Sequence, residues 1–180
     1  CILSVFTDIT DLKKAEKALA FSEQKYRDIF EFVPAAIWEY DFSGALPLIR
    51  SIRERGIRDY PAWLDENPQI LMELLSHVRA VDVNAETMRL YGARTKEELL
   101  WGPGVEHSPE ALKFYKDMVV VFLSGGDHYE AELSNFTADG RTIHIILRMQ
   151  IPGGLDSNGR LLSSVLDITD RRNAETALRE

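Results

Sequence analysis

The sequence predicts an α+β domain: one antiparallel five-stranded sheet with helices on one face, flanked by N-terminal and C-terminal linker helices. Short β-rich runs bounded by turn residues predict the sheet, and helical stripes lying between the second and third runs predict the covering layer. A repeat at the two ends of the chain predicts the flanking helices. With a shift of 159 positions, Leu3-Ser4 falls on Leu162-Ser163 and Asp8-Ile9-Thr10-Asp11 on Asp167-Ile168-Thr169-Asp170. Ala15-Glu16 then falls on Ala174-Glu175, and Ala18-Leu19 on Ala177-Leu178; ten of seventeen aligned positions are identical. A match of this kind marks an array cut at its joints. Residues 1–10 are therefore expected to be the last strand of a preceding unit, 11–31 a linker helix, 32–166 one complete core, and 167–180 the exit corner with the start of an outgoing helix.

Each element has a local reason. Asp8 and Thr10 are helix-capping types, so a helix is expected from about Asp11. Leu12, Ala15, Leu19, Ser22, Tyr26 and Ile29 then recur at 3-4-3-4-3 spacing, a coiled-coil seam, with Lys13, Lys14, Glu16, Lys17, Glu23 and Lys25 on the other faces. Both a dimeric linker and a helix packed on its own domain fit this pattern. Pro34 stops the helix. Residues 36–40 read as the first strand, closed by the turn Asp41-Phe42-Ser43-Gly44. Residues 47–78 read as helical, with Asn67 capping a helix that opens on Pro68. A second strand is expected over 78–83. Asn84 should cap a short helix ending at Gly92, and Thr95-Lys96-Glu97-Glu98 a further one as a capping box. Ser108-Pro109 opens a longer helix whose buried stripe is Leu112, Tyr115, Val119 and Phe122, ended by Gly125-Gly126. Three strands follow: 128–137, 141–151 and 160–166. Ala138-Asp139-Gly140 joins the first two, and a longer turn through Gly153-Gly154 and Gly159 leads to the third.

Composition excludes several classes. Net charge is −8, and the one bunch of cations, Arg50, Arg53, Arg55 and Arg58, runs straight into Asp59, Asp65 and Glu66, so no nucleic-acid surface is expected. No stretch is long and apolar enough to span a membrane; Val119-Val120-Val121-Phe122-Leu123 is the strongest candidate and is far too short. The only cysteine is Cys1, which rules out an internal disulfide and suits a reducing cytoplasm. A cytoplasmic location is expected, with membrane anchoring of a longer polypeptide left open. His77, His107, His128 and His144 lie on separate elements at no metal-ligand spacing, and no nucleophile–base pair assembles, so neither a metal site nor an enzyme is expected in this segment. Gly125-Gly126-Asp127-His128-Tyr129 is reminiscent of the GGDEF signature of diguanylate cyclases. In that signature the glycines turn a hairpin, whereas here they end a helix.

In its motifs the chain resembles a PAS domain with its C-terminal PAC motif, the sensory module of bacterial signalling proteins. The residues that carry the resemblance are Tyr26-Arg27-Asp28-Ile29-Phe30-Glu31 at the entry, Val83-Asn84 with Leu90-Tyr91-Gly92, and Glu97-Glu98-Leu99. Asp139-Gly140, Ile151-Pro152 and Asp167-Ile168-Thr169-Asp170-Arg171 complete the set. One departure is a helical insertion over 46–77, where relatives make a tight turn between the first two strands. It could cover one end of a pocket or add to a dimer surface.

The resemblance implies an apolar pocket between sheet and helices. Its candidate lining is Trp38, Tyr40, Met88, Tyr91, Tyr115, Phe122, Ile145 and Leu147; plain core packing is the competing role of each. On the strand 141–151, Ile143, Ile145, Leu147 and Met149 share one face, with His144, Ile146 and Arg148 on the other. No cofactor is expected: flavin-binding relatives carry an Asn-Cys-Arg-Phe run, haem-binding ones a histidine on the long helix, and this chain has neither. A small unidentified ligand remains open. Signal transfer is expected through Asp167, Ile168 and Thr169, with Asp167 and Thr169 capping the outgoing helix. The implied partners are a second copy, through the N-terminal helix, and neighbouring PAS and effector domains of one polypeptide. The effector expected first is a histidine kinase, then a diguanylate cyclase or another PAS unit. A dimerisation or spacer module that senses nothing is the competing class.

Overall fold

The computed structural model describes residues 9–100, 109–151 and 159–178. The expected strand over residues 1–7, the caps at Asp8 and Ser108, the imidazole of His107 and the turn through Gly153-Gly154 lie outside them.

The first described elements are α1 (Thr10–Phe32) and β1 (Ala36–Asp41). The anticipated turn after β1 is instead one 3-10 turn, Ser43–Ala45, that runs directly into α2 (Leu46–Glu54). Asp41 Oδ1 accepts the Ser43 N–H at 2.9 Å, which bends the chain into this turn. The insertion continues through α3 (Tyr60–Glu66) and α4 (Pro68–Ser76). Asp59 caps α3 by accepting the Ala62 N–H at 3.0 Å. Asn67, the expected cap of α4, turns the other way: its amide donates to Trp63 O at 2.8 Å, so it closes α3 instead.

The rest follows as β2 (Arg79–Val83), α5 (Ala85–Tyr91), α6 (Lys96–Leu100), α7 (Pro109–Leu123), β3 (His128–Phe136), β4 (Thr142–Gln150), β5 (Arg160–Asp167) and α8 (Thr169–Ala177). Gly92, at φ 67°, takes the left-handed conformation that ends α5. At α6 the expected capping box is displaced by one residue, because Glu98 accepts the N–H of Arg94 and not that of Thr95.

The strands form one antiparallel sheet in the order β2-β1-β5-β4-β3. The last strand is thus the central one, and β4 lies one place outward. Register fixes the two faces. Trp38 opposes Ser163, which opposes Met149; Ala36 opposes Val165, which opposes Leu147, which opposes Ala131. These residues share the inner face, under α2, α4, α5 and α7. Ile37, Glu39, Leu162, Leu166, Ile146, His144 and Glu132 share the outer face by the same alternation. The core is one cluster in which Ile52, Leu64, Leu71 and Leu74 of the insertion join Met118, Phe122, Ile145 and Val165. The insertion is therefore part of the domain and not an appendage.

Candidate functional site: an aromatic cleft and two hydrogen-bonded corners

Between the inner sheet face and the helices lies an open cleft of about 1770 Å³. That exceeds the roughly 300–1,000 Å³ of a usual small-molecule site, and the lining extends to Glu132, Ser134, His144 and Arg172 on the outer side of the sheet. Of the candidate lining residues, Trp38, Tyr40, Tyr91, Tyr115, Phe122 and Leu147 lie along the cleft. Met88 and Ile145 do not. The buried positions of α5 are Thr87 and Tyr91, four apart, so Met88 is rotated away from the cleft. Ile145 has the expected face but is fully enclosed, flanked in register by Leu133 and Asp167.

The lining is aromatic by arrangement as well as composition. Trp38 and Tyr40 alternate along β1, and their rings stack within 12° of parallel, 6.0 Å apart. Tyr91 meets Trp38 edge-on at 5.7 Å. From α7, Phe114 packs against Tyr115 and against Tyr129 of β3. Phe42, Ile49, Leu74 and Leu75, supplied by the insertion and its approach, close one side. Sequence reasoning did not place these four at the cleft. Ile49, Leu74 and Leu75 fall in the stretch read as helical and Phe42 in the turn before it, but the direction in which these residues pack is not legible in the sequence.

Tyr40 is half-buried and lines the cleft. Burial, reinforced by the Tyr91 and Tyr115 phenols, holds its hydroxyl far above the usual range. Burial pushes Tyr91 up to about 12, against the lowering effect of its hydrogen bond with Asn135. Both phenols are therefore neutral hydrogen-bond donors at any physiological pH. Neighbouring Ser163 is fully buried, and its Oγ has no hydrogen-bond partner among the described residues.

The entry corner is built on Asn84. Its Oδ1 accepts from Ile37 N (3.0 Å), Thr87 N (3.0 Å) and Thr87 Oγ1 (2.9 Å). Its Nδ2 donates to Phe30 O (3.0 Å) and Ala35 O (2.8 Å). The sequence reading finds the cap on α5; the three bonds to residues 30–37 depend on a fold that brings β1 beside it. Lys96 adds a second tie, reaching Glu31 at 2.6 Å and Asp82 at 2.7 Å. Burial alone would lower the Lys96 ammonium, but the two carboxylates outweigh it and hold it above its ordinary value.

The exit corner is built on β4. Ile168 N–H donates to His144 O at 2.8 Å, and His144 N–H donates to Thr169 Oγ1 at 2.9 Å. Asp167 Oδ1 accepts the Thr169 N–H at 2.8 Å, so Asp167 holds the first turn of α8 as expected. Thr169 does not cap: its hydroxyl is committed to the strand. Arg171 and Arg172 both reach Glu132, at 3.4 Å, which lays α8 against the outer face. The two ends of the chain match in backbone as well as sequence. Ile9 and Ile168 each precede a helix, with ψ of 14° and 16°, and each accepts the N–H of the residue four ahead.

Along α1, Phe30 is buried and Tyr26 stacks on it while lying beside Glu39 of the outer face. The seam residues Leu12, Leu19 and Ile29 are exposed, Leu19 at 60%. The end of the helix is thus packed on its own domain and the remainder is not. Among the described residues no group of His, Cys, Asp and Glu is placed to hold a metal ion, and no helix is long and apolar enough to cross a membrane.

No family model matches the chain, and no curated protein matches it. Solved structures do. A domain of a sensory box sensor histidine kinase/response regulator from Geobacter sulfurreducens is 16% identical, with a TM-score of 0.50 over 83% of this chain and 96% of that one. The PAS domain of a protein from Colwellia psychrerythraea is 19% identical, with a TM-score of 0.52 over 83% and 98%. The Rhodobacter sphaeroides LOV protein is 15% identical, with a TM-score of 0.54 over 88% and 73%. At such identities the likeness establishes the fold: this is a PAS/LOV sheet with its helices, as the sequence motifs imply.

Proposed function

We propose that this chain is a sensory or relay domain of a signal-transduction protein, in which a small ligand or a neighbouring module acts on the cleft and the exit corner passes the change to a downstream effector. The observation that carries the reading is the bonding of the exit corner to β4. The strand that contributes Leu147 and Met149 to the cleft also holds Ile168 and Thr169 through the backbone of His144. Displacement of the sheet therefore bears directly on the first turn of α8. A signal of this kind needs a ligand with different affinities for two arrangements of the corner, since equal affinity shifts nothing.

The effector is proposed to be a histidine kinase. The Geobacter domain, which belongs to such a protein and shares the fold, supports that choice; a diguanylate cyclase is the alternative. The segment itself performs no chemistry in this account. The exposed seam of α1 supports pairing with a second copy, so that a shift at the corner biases a dimeric effector. It equally favours a second reading, a spacer that dimerises and senses nothing. The test is signalling by the intact polypeptide carrying Asp167→Ala with Thr169→Ala. Loss of a helix-terminal hydrogen bond costs about 1 kcal/mol, so the domain stays folded. Output should lock or uncouple; unchanged basal and stimulated output would leave only the spacer.

A further inference from the structure

We propose that His144 makes the exit corner responsive to pH, with acid loosening α8 from the outer face of the sheet. The proposal gives the corner an input of its own and rests on the relay reading above. His144 serves the corner twice. Its backbone accepts from Ile168 N–H at 2.8 Å and donates to Thr169 Oγ1 at 2.9 Å. Its imidazole stands half-exposed on the outer face, with Nδ1 3.0 Å from the Oγ of Ser134, its partner across the β3–β4 ladder. A change at the ring therefore acts on the residue that holds both Ile168 and Thr169.

The charges around the ring decide the sign. From β3, Glu132 lies two residues from Ser134 on the same face and shares a groove with His144. From α8, Arg172 lines that groove too, and Arg171 and Arg172 each reach Glu132 at 3.4 Å. Arg171 also meets Glu175 of its own helix at 3.3 Å. From β5, Asp167 accepts the Thr169 N–H at 2.8 Å. At the hairpin, Asp139 and Arg141 pair with each other at 3.0 Å. Among the described residues, Glu132 is thus the one carboxylate that pairs α8 with the sheet. Carboxylates and guanidiniums ordinarily keep their charge from about pH 5 to 8, whereas an imidazole changes its own there. A neutral His144 leaves Glu132 to the two arginines. In the charged ring Nδ1 donates and Ser134 Oγ accepts, so that contact survives and the ring stays in place. The site then holds three cations around one shared carboxylate. The imidazolium repels Arg172 and competes for Glu132, and contacts as long as 3.4 Å are the first to give way.

Hydrogen exchange of the full chain at about pH 5.5 and about pH 8, corrected for the intrinsic pH dependence of exchange, tests this without any ligand. The amide to follow is Arg172, whose N–H donates to Ile168 O at 2.9 Å in the first turn of α8. Its protection should be about 3-fold lower in acid, the scale on which surface ion pairs contribute. His144→Gln cannot charge yet still offers Ser134 a hydrogen bond, and should hold the high value at both pH values. Glu132→Gln should hold the low value at both. His128→Gln, at the opposite end of β3, should respond as the wild type does. In the wild type, the ring of His144 followed by NMR should titrate with the same midpoint as the Arg172 change. Protection independent of pH, a response that survives His144→Gln or Glu132→Gln, a response lost in His128→Gln, or midpoints more than about one pH unit apart overturns the proposal. Any of these leaves the relay reading standing, because that reading fails on a different result: unchanged output from the polypeptide carrying Asp167→Ala with Thr169→Ala.

Discussion

Asn84→Ala tests the entry corner. The side chain is fully buried and makes five hydrogen bonds between 2.8 and 3.0 Å. Removal leaves Ile37 N–H, Thr87 N–H, Phe30 O and Ala35 O without that partner. A buried polar group left unpaired costs about 1–3 kcal/mol, and these four lie at a helix end and a strand start where water can relieve part of the loss. The expected destabilisation is about 3–5 kcal/mol, a large share of the roughly 5–15 kcal/mol available to a domain. In urea, at about 1–3 kcal/mol per molar, the unfolding midpoint should fall by about 2 M with little change in slope. Asn84→Asp should do no better. It keeps the acceptor but loses the two bonds to Phe30 O and Ala35 O, and it sets a buried charge against those carbonyls. A loss below about 1 kcal/mol for Asn84→Ala would refute the view that this residue ties α1 and β1 to the core.

Three further outcomes are expected. Gly159→Ala should cost several kcal/mol in the same assay, because φ is 79° there and a Cβ would sit 2.5 Å from Ser43 Cα, backbone that cannot step aside; a near-neutral result would contradict that packing. Leu19→Glu with Tyr26→Glu should convert a dimer to monomers in sedimentation, and a wild-type chain already monomeric at high micromolar concentration would end the dimer proposal. Asp139 accepts from Thr137 Oγ1 and from Arg141, contacts that hold its carboxyl below the ordinary range. Its contribution to stability is therefore present above the ordinary carboxylate pKa and lost as pH falls through the depressed value. Asp139→Asn should flatten the acid limb of the stability–pH curve, and an unchanged limb would assign the effect elsewhere.

The sequence carries what is local and periodic. The hairpin at Ala138-Asp139-Gly140, the stops at Gly92 and Gly125, and the alternation of β4 are all dictated by neighbours a few residues away, and the structure has them. The inner face of β4 is also the one that alternation groups together, although only strand register could say that it meets Leu161 and Val165. What escapes is set by distance along the chain. Asn84 looks like a helix cap because its other three partners are about fifty residues earlier. Thr169 looks like a cap because its true partner is the backbone of His144, on another strand. Met88 fails because a two-turn helix admits two buried stripes, and Thr87–Tyr91 prevails over Met88–Tyr91. The insertion reads as helices, yet its place against α7, tied by Lys116 to Asp65 at 2.6 Å, decides that it walls the cleft.

The central claim is that occupation of the cleft reaches the exit corner. Hydrogen exchange at the amides of Ile168 and His144, which bond to His144 O and Thr169 Oγ1, reads that corner directly. With a small ligand bound in the cleft, their protection should change at least about 5-fold, while the amide of Trp63 in α3, bonded to Asp59 O, stays constant. Demonstrated binding with no change at Ile168 and His144 would contradict the account.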